Sequence, residues 1–128
     1  MAEAVCDRHA IKPNCVALFT ETAVGQRNRF TFAQLKEFSN RFANALRSMG
    51  VTRGDRVAIV LPQRVETGIC HIAAWKLGAI SLPLSTLFGS DALRYRLENS
   101  GARIVIAAGE AFGKVNAITN MHWFSNVH

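Results

Sequence analysis

Apolar side chains recur with helical spacing over one long segment of the chain. They lie three to four residues apart from Leu35 to Met49, which places them on one face of a helix. Thr31 and Gln34 stand three residues apart just before this segment and have the sequence of a capping box. Gly50 follows the last apolar position and suits the left-handed residue that ends many helices. The pattern predicts a helix from about Thr31 to Met49.

Two β-prone segments precede this helix. The first is the short apolar run Val16–Phe19 and the second is Arg29–Phe32, with Gly25 between them. Two such runs that are separated by a glycine-containing turn are typical of a hairpin. We therefore expect a β-hairpin ahead of the long helix.

Three further apolar runs follow and have the length of strands. They are Arg56–Leu61, Ala79–Leu84 and Arg103–Ala108. The first and third runs are continuously apolar rather than alternating, which is typical of strands that are covered on both faces. A helix through Val65–Leu77 separates the first two runs, and a helix that begins with Ser90 as its cap and closes at Gly101 separates the last two.

The alternation of strands and helices predicts an α/β fold with a parallel sheet and helices on both faces. We assign residues 1–114 to this unit. Residues 115–128 form a divergent tail without Asp, Glu, Lys or Arg, and no element is predicted there after about Val115.

Composition supports a single globular domain. The chain has 128 residues, of which 49% are hydrophobic and 19% charged. No uncharged stretch reaches the roughly 18 apolar residues of a membrane-spanning helix. Charges at Glu3, Asp7 and Arg8 interrupt the apolar core that a signal peptide would need. We therefore expect a cytoplasmic protein with reduced cysteines.

The net charge of +6 leaves two interpretations open. One is a polyanionic partner, and the other is a basic segment of something larger. The basic residues are spread from Arg8 to Lys114 without a run, and aromatic residues are not interleaved with them as a base-stacking surface requires. The dispersion favours the second interpretation.

A ligand site is expected in the loops after the predicted strands, because parallel sheets bind ligands beyond the carboxyl ends of their strands. These loops follow Leu61, Leu84 and Ala108. A dinucleotide-binding fold would place GxGxxG after its first strand, whereas Leu61 is followed by Pro62–Arg64. No Walker loop occurs either, so a Rossmann or P-loop enzyme is disfavoured.

The residues that most often carry catalysis are scattered. The four histidines lack the i, i+4 pairing of a helical metal site; they are His9, His71, His122 and His128. Cys70 and His71 are adjacent on a predicted helix and point about 100° apart, which argues against a nucleophile and base. Ser85–Ser90 brings hydroxyls and a glycine to a strand-to-helix turn, which either faces an anion or only caps the helix. No catalytic, ATP-binding or metal-ligating residue is predicted.

Four segments of the chain together resemble a known family. They are Phe30–Leu35, Ala45–Val51, Gly54–Ile59 and Trp75–Leu84. In order and spacing they are similar to the N-terminal part of the acyl-adenylate-forming superfamily, which includes acyl-CoA and acetyl-CoA synthetases, luciferases and adenylation domains of peptide synthetases. Leu87–Leu93 and Asn99–Arg103 look most like the acetyl- and medium-chain acyl-CoA synthetase branch. The resemblance covers about Asp7 to Ala108.

The resemblance implies an acid–CoA ligase. Such an enzyme joins a carboxylic acid to AMP from ATP with Mg²⁺ and then passes the acyl group to the thiol of coenzyme A. The family's phosphate loop, nucleotide contacts and catalytic lysine all lie downstream of anything present here, so none is carried over. In some members, basic side chains just after the strand that matches Arg103–Ala108 lie near the nucleotide end of coenzyme A. Lys114 lies in that neighbourhood, though not in the matching column, and is the candidate CoA-binding residue.

The resemblance therefore implies an incomplete N-terminal part of the ligase fold, inactive alone. It is either a fragment of a longer enzyme or a truncated or frameshifted product. The alternatives are a noncatalytic basic interaction module, which would pair with a full-length relative or a polyanion, and a product without activity.

Overall fold

The computed structural model describes residues 1–118 and the backbone of residues 123–124. Its helices are α1 (Phe32–Ser48), α2 (Val65–Lys76), α3 (Ser90–Ser100) and α4 (Glu110–Asn116). Its strands are β1 (Val16–Glu21), β2 (Arg27–Thr31), β3 (Arg56–Val60), β4 (Ile80–Pro83), β5 (Ile104–Ala107) and β6 (Trp123–Phe124). A π-helical turn, Glu3–Asp7, and a 3-10 turn, His9–Ile11, precede β1.

The predicted hairpin and parallel sheet are both confirmed. β1 and β2 pair antiparallel, with Phe19 opposite Arg29. The remaining strands form a parallel sheet in the order β4-β3-β5-β6. Ala58 of β3 lies opposite Leu82 of β4 and Val105 of β5. β3 is therefore an interior strand, although it precedes its sheet partners in the sequence.

Helices cover both faces of this sheet, as predicted. On one face, alternate side chains of β3 and β5 form a buried cluster with α1 and α2; the strand members are Val57, Ile59, Ile104 and Ile106. On the other face, the intervening side chains pack against α3 and α4; they are Ala58, Val60, Val105 and Ala107. Because consecutive residues point to opposite faces of a strand, a sheet that is buried on both sides needs a continuously apolar run.

Both ends of α1 have the predicted geometry. The Gln34 amide donates to the Thr31 hydroxyl oxygen at 3.2 Å, and the Thr31 amide donates to the Gln34 side-chain oxygen at 2.8 Å. At the other end, Gly50 has a φ of +84°, which favours glycine. The Val51 amide donates to the Leu46 carbonyl oxygen at 3.1 Å. The capping box and the left-handed end are confirmed.

The prediction that Ser90 caps α3 is wrong. Ser90 is the first helical residue, and Gly89 is the cap, with an extended backbone and no side-chain hydrogen bond. The Leu87 amide instead donates to the hydroxyl oxygen of Ser85 at 3.1 Å. The hydroxyl that orders this turn therefore lies five residues before the predicted cap.

α4 and β6 were not predicted. α4 has seven residues, includes Gly113, and runs across the predicted boundary at residue 114. β6 has two residues, and its backbone pairs with β5. Elements this short carry too little periodic pattern to be recognised in a sequence. His122 and His128 lie outside the described residues, and the division at residue 114 stays a prediction.

Candidate functional site

The loops after β3, β4 and β5 meet at the carboxyl edge of the sheet, where they line two adjoining cavities. The β3–β4 cavity has a volume of about 760 Å³ and lies between the loop after β3 and the loop after β4. The β5 cavity, of about 350 Å³, lies between those loops and the start of α4. Both cavities share Pro62, Arg64, Thr86 and Leu87 in their walls. The structure thus brings together the three loops that were expected to hold a site.

Hydroxyl groups fix the walls of the β3–β4 cavity. The Thr67 hydroxyl on the first turn of α2 donates to the carbonyl oxygen of Pro62 at 2.6 Å. On the opposite wall, the Ser85 hydroxyl oxygen accepts the Leu87 amide. These groups hold the two loops in place. A contact between the Ser85–Ser90 turn and an anion stays a prediction.

Cys70 and His71 face different surroundings. Cys70 is fully buried in the cluster between α2 and the sheet, and burial raises the pKa of its thiol to about 12. His71 lines the β3–β4 cavity and stacks obliquely on Trp75 at 5.8 Å between ring centroids. Desolvation lowers the pKa of His71, which favours a neutral imidazole at pH 7. The cavity therefore receives a neutral ring, while the thiol stays protonated in the core.

Lys114 lies in the wall of the β5 cavity. From α4, Lys114 Nζ donates to the carbonyl oxygen of Thr86 at 3.3 Å and lies 3.3 Å from Glu110 Oε1. The side chain is 26% exposed, whereas Glu110 is 87% exposed. The ammonium group thus ties α4 to the loop after β4 and keeps one exposed carboxylate partner.

The Glu110 contact was missed from the sequence. Glu110 and Lys114 are four residues apart, the spacing at which oppositely charged side chains pair on a helix. That signal was present but needed α4 to be recognised first. Arg64 was also missed as a wall residue of both cavities. Its Nε lies 3.9 Å from Glu66 Oε2, and its side chain is largely exposed.

The metal-ligating side chains that the structure describes lie within residues 1–118. Within this part of the chain, no group of three or more His, Cys, Asp or Glu residues is placed to hold a metal ion. Within the same residues, no helix is long and apolar enough to cross a membrane.

Comparison with known proteins decides the family. The family profile described as "AMP-binding enzyme" matches residues 3–123. The chain belongs to this family. Its α/β sheet at the N-terminal end of the family fold is therefore the architecture that the sequence resemblance implied.

Individual relatives agree with the family. An acetyl-coenzyme A synthetase of Streptomyces coelicolor is 40% identical over 116 residues, which cover 88% of this chain and 18% of that protein. A crystal structure of a Brucella canis acyl-CoA synthetase superposes with a TM-score of 0.89 at 31% identity, covering 98% of this chain and 24% of that one. The N-terminal domain of FACL13 from Mycobacterium tuberculosis superposes with a TM-score of 0.83 at 26% identity. The match covers 98% of this chain and 33% of that one. This chain thus spans between about a fifth and a third of the proteins it matches.

Proposed function

We propose that this chain supplies the N-terminal part of an acid–CoA ligase. In the proposed reaction, a carboxylate attacks the α-phosphorus of ATP and displaces pyrophosphate, and the resulting acyl-AMP loses AMP as the thiol of coenzyme A takes the acyl group. The observation that carries this proposal is the 40% identity with an acetyl-coenzyme A synthetase over 88% of the chain.

The contribution of these residues is binding and support. The two cavities are walled by loop backbone, hydroxyl groups, the neutral His71 ring and the cations Arg64 and Lys114. The buried, protonated Cys70 lies outside the cavity wall. In the proposed reaction both attacking groups belong to substrates, so the task of these residues is to bind and position them. Because the chain spans 18% of the matched synthetase, we expect the isolated chain to lack ligase activity.

Within this proposal, Lys114 contacts the nucleotide end of coenzyme A. Its ammonium group lies in the β5 cavity wall and has one largely exposed carboxylate partner. A phosphate that approached the cavity would compete with Glu110 for the ammonium group, because an ion pair with an exposed carboxylate contributes little. A lysine acts toward phosphate as a compact point charge.

A segment exchange tests the ligase proposal. The chimera is the Streptomyces coelicolor acetyl-coenzyme A synthetase with residues 3–118 of this chain in place of its own matching segment. We expect the purified chimera to form AMP and acetyl-CoA from acetate, ATP and coenzyme A, and the isolated chain to form neither. The unaltered synthetase is the positive control. A chimera that folds with a cooperative melt but forms no acetyl-AMP would contradict the proposal, as would AMP formation by the isolated chain.

The native species needs its own measurement. Capture with an antibody against residues 31–46, followed by intact-mass analysis, gives the size of the protein that carries this sequence in its cells. We expect a species several times heavier than 14.1 kDa. A 14.1 kDa species that co-purifies with a full-length relative would favour the interaction-module alternative. Fractionation of the same cells tests the proposed cytoplasmic location.

A further inference from the structure

The first eleven residues form a separate covering layer, which we call the strap. It contains the turns Glu3–Asp7 and His9–Ile11 and lies over α1 and α2. Only two of its eleven side chains are buried, Ala2 and Cys6. Its larger apolar residues, Met1, Val5 and Ile11, are exposed. Little apolar burial therefore holds the strap on the rest of the fold.

A polar contact fastens the strap to both helices. Lys76 Nζ at the end of α2 donates to Asp7 Oδ1 at 2.9 Å and to Asn40 Oδ1 of α1 at 2.6 Å. The Lys76 side chain is only 12% exposed. An ammonium group so far from water needs such partners, and removing one partner of a desolvated pair costs more than losing a surface contact.

Two buried thiols report on different parts of the molecule. Cys6 belongs to the strap and points toward α1, where its Sγ donates to the Phe32 carbonyl oxygen at 3.7 Å. It packs in a cluster with Leu35 of α1 and Ile69 of α2. Cys70 lies in the cluster between α2 and the sheet. Exposure of Cys6 needs only movement of the strap, whereas exposure of Cys70 needs the central core to open.

We propose that the strap opens and closes as a unit on a folded core, and that the contact of Lys76 with Asp7 and Asn40 is its latch. Segments with few buried apolar contacts open at lower free energy than the core that they cover. Opening uncovers the apolar cleft between α1 and α2 that holds Leu35 and Ile69. This inference is independent of the proposed ligase function.

Thiol labelling tests the proposal on the full 128-residue chain. In a Cys15→Ser background, pulses of N-ethylmaleimide followed by peptide mass spectrometry give the labelling rates of Cys6 and Cys70 in the same molecules. We expect Cys6 to label at least about tenfold faster than Cys70, as local opening outpaces unfolding of the core. We expect Lys76→Met to accelerate Cys6 by a further factor of about ten and to leave Cys70 unchanged.

Electrostatics cannot produce this acceleration. The Lys76 charge lowers the pKa of Cys6, although desolvation is the larger influence and raises it. Removal of that charge therefore raises the pKa of Cys6, so that a smaller fraction of the thiol is ionised and labelling slows. Arg41→Met is the matched control, because it removes an arginine of α1 whose exposed side chain pairs with Glu37 at 2.7 Å. We expect it to change neither rate.

Two outcomes with the parent chain and Lys76→Met would overturn the proposal. One is equal labelling of Cys6 and Cys70 in the parent chain, and the other is equal acceleration of both thiols by Lys76→Met, which would show an effect on the whole fold. If Cys70 of Lys76→Met labels at once, that variant is unfolded, and Asn40→Ala replaces it. Asn40→Ala removes a single hydrogen bond to Lys76 and is expected to accelerate Cys6 alone; equal rates for the two thiols in this variant likewise overturn the latch.

Discussion

The guanidinium group of Arg56 lies over the end of α3, where its Nη2 donates to the carbonyl oxygen of Gly101 at 3.1 Å. The Nε of the same arginine donates to the Ser100 carbonyl oxygen at 2.9 Å. Because Arg56 is the first residue of β3, this contact joins the end of a helix to the interior strand of the sheet. A cation at this position also complements the negative end of the helix dipole.

Gly101→Ala should destabilise the chain by about 1–2 kcal/mol. Gly101 has a φ of +62°, and a Cβ there would lie 2.8 Å from Arg56 Nη2. Urea denaturation measures the free energy of unfolding. Gly113→Ala is the control, because a Cβ at that helical position would have no neighbour within 4 Å; it should stabilise α4 by up to about 1 kcal/mol. Equal midpoints for the two variants would contradict the assignment of Gly101.

Arg56→Met should cost about 1 kcal/mol, since it leaves the last carbonyl groups of α3 to water. Arg94→Met, on the exposed surface of the same helix, removes the same charge and should change stability by less than about 0.5 kcal/mol. Gly101→Ala should be less destabilising in the Arg56→Met background, because the methionine can move away from the new methyl group. Strict additivity in this double-mutant cycle would argue against the contact.

Stability should fall as pH rises above about 9, in part through Cys70. Burial raises the pKa of this thiol to about 12, whereas the unfolded thiol ionises near its ordinary value of about 8.5. Between these values the unfolded chain releases a proton that the folded chain keeps, so the free energy of unfolding declines. Cys70→Ala should flatten this decline in denaturation curves from pH 8 to pH 10.5. Cys15→Ala is the control, and identical slopes in the two variants would contradict the prediction.

Stability should also depend on Asp55 in acid. A hydrogen bond from the Thr52 amide, 2.8 Å long, holds the pKa of this carboxyl below its usual range, with help from the Thr52 hydroxyl and Arg103. A lowered carboxyl pKa gives stability that is present above the unfolded pKa and is lost as pH falls. In urea denaturation curves taken below pH 5, Asp55→Asn should therefore show a smaller decrease in the free energy of unfolding with falling pH. Glu98→Gln on α3 is the control, because it removes the same charge. It should leave the fall in the free energy of unfolding below pH 5 as steep as in the parent chain.

Lys114→Met in the chimera should raise the KM for coenzyme A by about fivefold, equivalent to roughly 1 kcal/mol, the value of a partly exposed ion contact. The KM for acetate and the kcat should stay unchanged. Glu110→Gln should lower the KM for coenzyme A, because it frees the ammonium group of Lys114. An unchanged KM in both variants would remove Lys114 from the coenzyme A site.

The sequence was sufficient for the sheet and the long helices because their signals are local and repeated. The uninterrupted apolar residues of β3 predict burial on both faces, and Thr31 with Gln34 predicts where α1 begins. The start of α3 was harder, because its cap is the backbone of Gly89 rather than a hydroxyl. A serine beside a helix start resembles a cap in sequence even when it forms the first helical residue.

The sequence predicts where the site lies but not most of the side-chain contacts within it. Its location follows from the rule for parallel sheets, and the Glu110–Lys114 pair has a helical spacing. Contacts between segments far apart in the sequence follow no such spacing. Lys114 reaches Thr86 across 28 residues, and Lys76 reaches Asp7 across 69. Such contacts are fixed by the packing of α2 and α4 on the sheet, which a single sequence does not encode as a pattern.

The position of β3 inside the sheet has a consequence during synthesis. β3 is complete at Val60, whereas its partners begin only at Ile80 and Ile104. At translation rates of about 5–20 residues per second, several seconds separate the completion of β3 from the synthesis of β5. Until β4 is made both edges of this apolar strand are unpaired, and the edge that pairs with β5 stays unpaired for the whole interval; such an edge is a template for pairing with another chain.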